Sequence, residues 1–189
     1  YDNTYDILIH TVARYQVMNS ILAFEAMKEL AGKGDIAGPV SDEMLLKGLF
    51  DMFWPGRFQE ILPGICVDGA HNASGIEKLA ESLEADAAGR PLWILFAVAS
   101  DKDLQAMAER LSHLPDLSGI MLTEITGYRK TDLKKVAQAF AGVYDGPVLT
   151  DPDIASAIRA AGERAKRDGA LLVCTGSLYL TGSILEVLR

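Results

Sequence analysis

The chain has 189 residues, 49% hydrophobic and 23% charged, the balance of a soluble globular protein large enough for one well-cored domain and an added helical segment. Its formal net charge of −8 repels phosphate backbones and speaks against nucleic acid as a partner. No apolar run approaches the about 20 residues that cross a bilayer, and no signal-peptide pattern opens the chain, which does not begin with Met, so it reads as a cytosolic protein or a piece of one.

Residues 1–56 differ in texture from the rest. "YQVMNSILAFEAMKELA", residues 15–31, reads as a helix with apolar Met18, Ile21 and Leu22. "GKGDIAGP" breaks it. Ser41 then stands as an N-cap before Asp42 and Glu43, where the helix dipole favours acids, and Leu45, Leu49 and Met52 follow at helical spacing. Pro55-Gly56 ends the element. Two helices cannot close a core, so this segment is expected to pack on the rest of the chain or on something outside it.

From residue 57 strands and helices alternate. The expected strands are 58–62, 65–68, 92–98, 118–123, 147–149 and 170–174. Between them run stripes of period 3.6: Ile76, Leu79, Ala80 and Leu83; Leu104, Met107, Ala108 and Leu111; Leu133, Val136, Ala137 and Phe140; Ile154, Ala157, Ile158 and Ala161. A last helix from about residue 178 carries Ile184, Leu185 and Leu188. Continuous apolar strands such as "LWILFAV" and "ALLVC" suit a sheet covered on both faces. The reading is an α/β, Rossmann-like, mostly parallel sheet with helices on both faces. Cys66 and Cys174 sit inside such apolar runs without zinc-ligand spacing and read as small buried hydrophobes.

In this architecture ligands bind beyond the carboxyl ends of the strands. There the sequence collects Asp68, Gly69, His71 and Asn72; then Ser100, Asp101, Lys102 and Asp103; then Glu124, Tyr128, Arg129 and Lys130; then Thr175, Gly176, Ser177 and Tyr179. Taken singly, Asn72, Asp103 and Ser177 each precede a helix and serve as N-caps. Taken together, at one edge of one sheet, the groups suggest a site. His10 and His113 have no partners at ligand spacing. "GKGDIAG" lacks the G-x-x-x-x-G-K-[ST] pattern of a phosphate loop, no G-x-G-x-x-G occurs, and no paired nucleophile and base stands out.

Four segments in order, "YQVMNSILAFEAMKEL", "FWPGRFQ", "VDGAHNASG" and "TGSLYLTGSILEVL", with "FAVASDKD" between the last two, closely resemble folylpolyglutamate synthases and bifunctional dihydrofolate synthases, ATP-dependent amide-forming ligases of the Mur ligase superfamily. The resemblance covers nearly the whole chain. It implies a Mur ligase C-terminal domain at 57–189, preceded at 1–56 by the helical tail and linker of a central ATPase domain. The family's phosphate loop, magnesium ligands and carbamylated lysine belong further upstream, so the resemblance implies use of ATP and Mg but a fragment inactive alone. The usual His-Gln before the Asn-containing helix is Tyr15-Gln16 here. By the resemblance, Asn19 lies beside the adenine, Arg57 reaches ATP from the linker, and Asp68 contacts the nucleotide. His71, Lys102 and Ser177 fall where Mur-type ligases touch the incoming amino acid. Expected partners are ATP, glutamate, a folate or dihydropteroate, and the chain's own N-terminal ATPase domain, in the cytoplasm. The alternatives are a Mur-type ligase domain acting on a cell-wall precursor and a stand-alone binding domain without catalysis.

Overall fold

A computed structural model describes residues 4–11, 13–36, 38–87, 89–99, 103–125 and 130–188. The chain divides into two compact units after Pro55.

The first unit carries α1 (Arg14–Lys33) and α2 (Asp42–Phe50). α1 closes on Gly34, whose N–H reaches back to the carbonyls of Ala31 and Leu30. Ser41 caps α2 by accepting from the Met44 N–H at 3.2 Å, with Asp42 and Glu43 in the first turn. Met52 lies beyond α2, contrary to the helical spacing, because the chain approaches Pro55, which disfavours helical backbone just before it. The Tyr5 hydroxyl donates to the Asp42 carboxylate and accepts from Lys28 Nζ at 2.7 Å, tying the N-terminal segment to both helices. That hydroxyl, with the Lys28 ammonium, holds the Asp42 carboxyl below the usual carboxylate range.

The buried face of α1 is not its apolar stripe. Gln16, Ser20 and Phe24 are buried, while Val17, Met18, Ile21 and Leu22 are exposed, Met18 at 60% and Leu22 at 64%. The apolar stripe of Met18, Ile21 and Leu22 has no cover among the described residues of this unit, in keeping with a segment expected to pack on another body.

The second unit runs β1 (Gln59–Leu62), β2 (Ile65–Val67), α3 (Ala73–Asp86), β3 (Leu92–Phe96), α4 (Leu104–Ser112), β4 (Leu117–Leu122), α5 (Leu133–Ala141), β5 (Val148–Thr150), α6 (Ile154–Arg167), β6 (Leu171–Thr175) and α7 (Leu178–Val187). The strands form one sheet in the order β1-β2-β6-β3-β4-β5. β1 is antiparallel to β2, and all other pairings are parallel. The expected α/β, mostly parallel class is what the chain adopts, with strand ends moved by a residue or two. β3 stops at Phe96 because its ladders end there, against Thr175 on one side and Leu122 on the other. β1 begins one residue late because Phe58 has a left-handed φ of 45°.

Strand alternation divides the core between two faces. Val67, Trp93, Leu95, Met121, Leu172 and Cys174 pack with Ala157, Ile158 and Ala161 of α6 and with Leu180 and Ile184 of α7. The alternate residue Phe96 points to the opposite face, where its ring meets Phe140 of α5 edge-on at 5.4 Å. β3 and β6 are buried along their whole length, as strands covered on both faces should be.

Candidate functional site

β2 and β6 are parallel neighbours, so the chain leaves both at the same edge. The exit of β2 delivers Asp68 to Asn72, and the exit of β6 delivers Gly176 to Leu178. Backbone bonds bind the two exits together. The Asp68 N–H donates to the Cys174 carbonyl, and the Gly176 N–H donates to the Ala70 carbonyl, each at 2.9 Å. Gly176 has a φ of 104°, and a Cβ there would lie 2.4 Å from the Ala97 carbonyl oxygen of the next strand's exit. Gly69 serves close approach instead: its Cβ would meet Leu178 Cδ2 at 2.2 Å. The exits of β2, β6 and β3 therefore pack backbone against backbone.

A third segment joins them. The Gly69 N–H donates to the Gly56 carbonyl at 2.8 Å. The Gly56 N–H in turn donates to Gln59 Oε1 at 2.9 Å, which closes a turn with Arg57 at its crest. Asp68 braces that turn. Its Oδ2 accepts from the Phe58 N–H and its Oδ1 from the Ala70 N–H, both at 2.8 Å, and the residue is 1% exposed. Arg57 is half-buried and enters no ion pair among the described residues.

His71 lies half-buried beside this junction, with Nδ1 2.9 Å from the Gly69 carbonyl. A carbonyl can only accept, so Nδ1 carries the proton and Nε2 is left for a ligand, as an acceptor in the neutral ring or a donor in the charged one. Ser177 is buried at the start of α7, where its Oγ accepts from the Tyr179 N–H at 3.1 Å. The hydroxyl proton has no acceptor among the described residues, and remains available to an oxyanion. The helix terminus itself favours anions.

The strand-end groups therefore separate. Asp68, His71, Ser177 and Arg57 come together around the exits of β2 and β6. Asn72 and Asp103 cap α3 and α4, accepting from Gly75 and Ala106. Glu124 pairs with Lys130 at 3.5 Å. Asn19 lies in the other unit, exposed on α1, with Nδ2 donating to Gln16 Oε1 at 2.7 Å. Lys102, with Ser100, Asp101, Tyr128 and Arg129, lies outside the described residues. Among the described residues no group of three or more His, Cys, Asp and Glu is placed to hold a metal ion. No described helix is long and apolar enough to cross a membrane. Sequence reasoning missed the bracing of Arg57 by Asp68 and Gln59. A glutamine two residues after the Arg was the one visible signal, and it read as part of a strand.

Comparison with known proteins gives a consistent picture. Residues 56–178 match the family model described as "Mur ligase, glutamate ligase domain". The chain is similar over its full length to a dihydrofolate synthase/folylpolyglutamate synthase of Bacillus subtilis, at 30% identity over 197 aligned positions covering 42% of that protein. It is 28% identical to a folylpolyglutamate synthase of Lacticaseibacillus casei, covering 97% of this chain and 40% of that protein. The chain thus spans about two fifths of the length of these relatives. Among solved structures, a Mycobacterium tuberculosis folylpolyglutamate synthase complexed with ADP and AMPPCP shares the fold with a TM-score of 0.84 at 23% identity, covering 97% of this chain and 42% of that one. An E. coli FolC structure in complex with DHPP and ADP follows at 0.76 and 18%, covering all of this chain and 41% of that one.

Proposed function

We propose, since the chain belongs to the Mur ligase family through its glutamate ligase domain, that it is the C-terminal part of an ATP-dependent folate ligase adding L-glutamate to a folyl or dihydropteroate acceptor. The observation that carries this reading is the sheet edge where a guanidinium on a braced turn, without an ion pair among the described residues, an oriented imidazole and a capping hydroxyl come together at the exits of β2 and β6. That is where an α/β sheet binds ligands. Residues 57–189 are the ligase domain, and residues 1–56 are the tail and linker of the central ATPase domain. The exposed apolar stripe of α1 supports this assignment, because such a stripe needs a partner and the relatives hold about three fifths of their length elsewhere.

In the proposed reaction the acceptor carboxylate takes the γ-phosphoryl group of ATP, releasing ADP and forming an acyl phosphate. The amino nitrogen of glutamate attacks the acyl carbon. The tetrahedral intermediate collapses by breaking the bond to the phosphate oxygen, phosphate departs, and the nitrogen loses its proton. Arg57 offers a bidentate fork to ATP phosphates. Asn19 serves the adenine end, and Asp68 serves the nucleotide side of the ligase domain. His71, Ser177 and Lys102 orient the carboxylates of glutamate. Catalysis here is positioning and charge stabilisation, with the domain closing over nucleotide held by the upstream part. The donor set among the described residues does not fit a magnesium ion, so the metal is assigned, with the phosphate loop, to that upstream part. The reaction is placed in the cytoplasm.

The test is amide ligation by the whole ligase with ATP and glutamate, comparing dihydropteroate and tetrahydrofolate as acceptors. Glutamate incorporation into either supports the reading. Incorporation into neither, or only into a cell-wall precursor, overturns it. The 189-residue chain alone is expected to turn over no ATP, and turnover by it would overturn the division of parts.

A further inference from the structure

The turn that carries Arg57 is held on both sides of that residue. Gly56 is held through both its groups, the N–H by Gln59 Oε1 and the carbonyl by the Gly69 N–H. Phe58 is held by the Asp68 carboxylate at its N–H, and the residue is 8% exposed. Its φ of 45° is one that a bulky L-residue adopts only when its surroundings impose it. A carboxylate accepting from that amide makes a charge-assisted hydrogen bond, which is suited to stabilising a strained residue. Asp68 itself offers almost no surface to a ligand, being 1% exposed.

From this geometry we infer that Asp68 is a positioning residue for Arg57: it holds Phe58 in the left-handed conformation and so aims the guanidinium. The inference rests on the proposed nucleotide role of Arg57 and changes the part that Asp68 plays within it. Gly56 and Phe58 are both clamped to the exit of β2, so Arg57 is carried rigidly with that exit. Its side chain meets phosphate with less backbone freedom to lose. Gln59 closes the same turn from the other side and shares the positioning role.

The two roles separate in a double-mutant cycle. In the whole ligase, kcat and KM for ATP and glutamate are measured for Asp68→Asn, Gln59→Ala, Arg57→Ala and the two pairs with Arg57→Ala. The Asn side chain keeps the volume of Asp68 but presents an NH2 donor to one of two backbone donors. The expected result is a loss of about tenfold in kcat/KM for ATP for Asp68→Asn and about threefold for Gln59→Ala, with KM for glutamate unchanged. Both losses should shrink to within about twofold once Arg57 is already Ala. Equal losses in both backgrounds overturn the positioning role and leave the nucleotide reading standing. If Arg57→Ala by itself changes nothing, the nucleotide reading falls and the positioning role falls with it. Should Asp68→Asn fail to fold, Gln59→Ala decides, because Gln59 is a half-buried edge-strand residue. Its loss in the Arg57 background and neutrality without Arg57 support the inference, and the opposite pattern refutes it.

Discussion

Replacing Gly176 by Ala tests the packing of the site's floor with no assumption about activity. The added Cβ would stand 2.4 Å from the Ala97 carbonyl oxygen and 2.7 Å from Phe96 Cε2, where real Cβ contacts under 3.0 Å essentially never occur. Neither neighbour yields easily, since one is backbone and the other a fully buried ring. Two costs add. Holding a non-glycine residue at a φ of 104° costs about 1–3 kcal/mol. Forcing an atom into a filled space costs about 1–3 kcal/mol more. The sum, centred near 4 kcal/mol, is a large share of the roughly 5–15 kcal/mol by which a domain is stable. At about 2–4 °C per kcal/mol for a chain of this size, the melting temperature should fall by about 8–16 °C. Thermal unfolding of the 189-residue chain followed by circular dichroism reads this directly. A fall of less than about 3 °C would mean that the exits of β6 and β3 are not packed as described.

Two further outcomes follow from the same geometry. In the whole ligase, His71→Ala should raise KM for glutamate by about tenfold, the cost of one hydrogen bond to a charged group, with KM for ATP held within about twofold; an unchanged KM for glutamate removes His71 from the amino-acid side. Burial pushes the Cys66 thiol up to about 11 and the Cys174 thiol higher still, so both stay neutral and should resist a disulfide reagent at pH 8 until the chain unfolds. A folded pKa above the unfolded one means that the contribution of Cys66 to stability is complete below about 8.5 and is lost as pH rises through about 11, and rapid labelling of the native chain at pH 8 would contradict its burial.

The sheet was legible because its central strands are continuous apolar runs. "LWILF" and "LLVCT" are buried on both faces, and no other element of that length suits such a run between two amphipathic helices. Strand ends were less legible. Ala97 and Val98 are as buried as the strand before them, and it is the end of the neighbours' ladders that stops β3. α1 shows another limit. Periodicity identifies an apolar stripe at Met18, Ile21 and Leu22, but says nothing about which body covers it. In this chain the helix instead turns Gln16, Ser20 and Phe24 inward.

The site divides along the same line. That Asp68, His71 and Ser177 share an edge was foreseeable from the rule on strand ends; that they adjoin follows from β2 and β6 being parallel neighbours, which no sequence pattern announced. What each group does there depends on backbone conformation, which residue type reports poorly. Nothing in a phenylalanine announces a φ of 45°, and nothing in an aspartate announces that both of its oxygens accept from amides. An acid at a strand end reads equally as a ligand contact or a backbone brace, and only burial separates the two. At 1% exposure the brace is the direct role. In the proposed site the chemistry offered to a ligand then passes to groups without a partner among the described residues: the Arg57 guanidinium, His71 Nε2 and the Ser177 hydroxyl proton. Those three groups can receive anions at different points of one edge, as the proposed reaction would require.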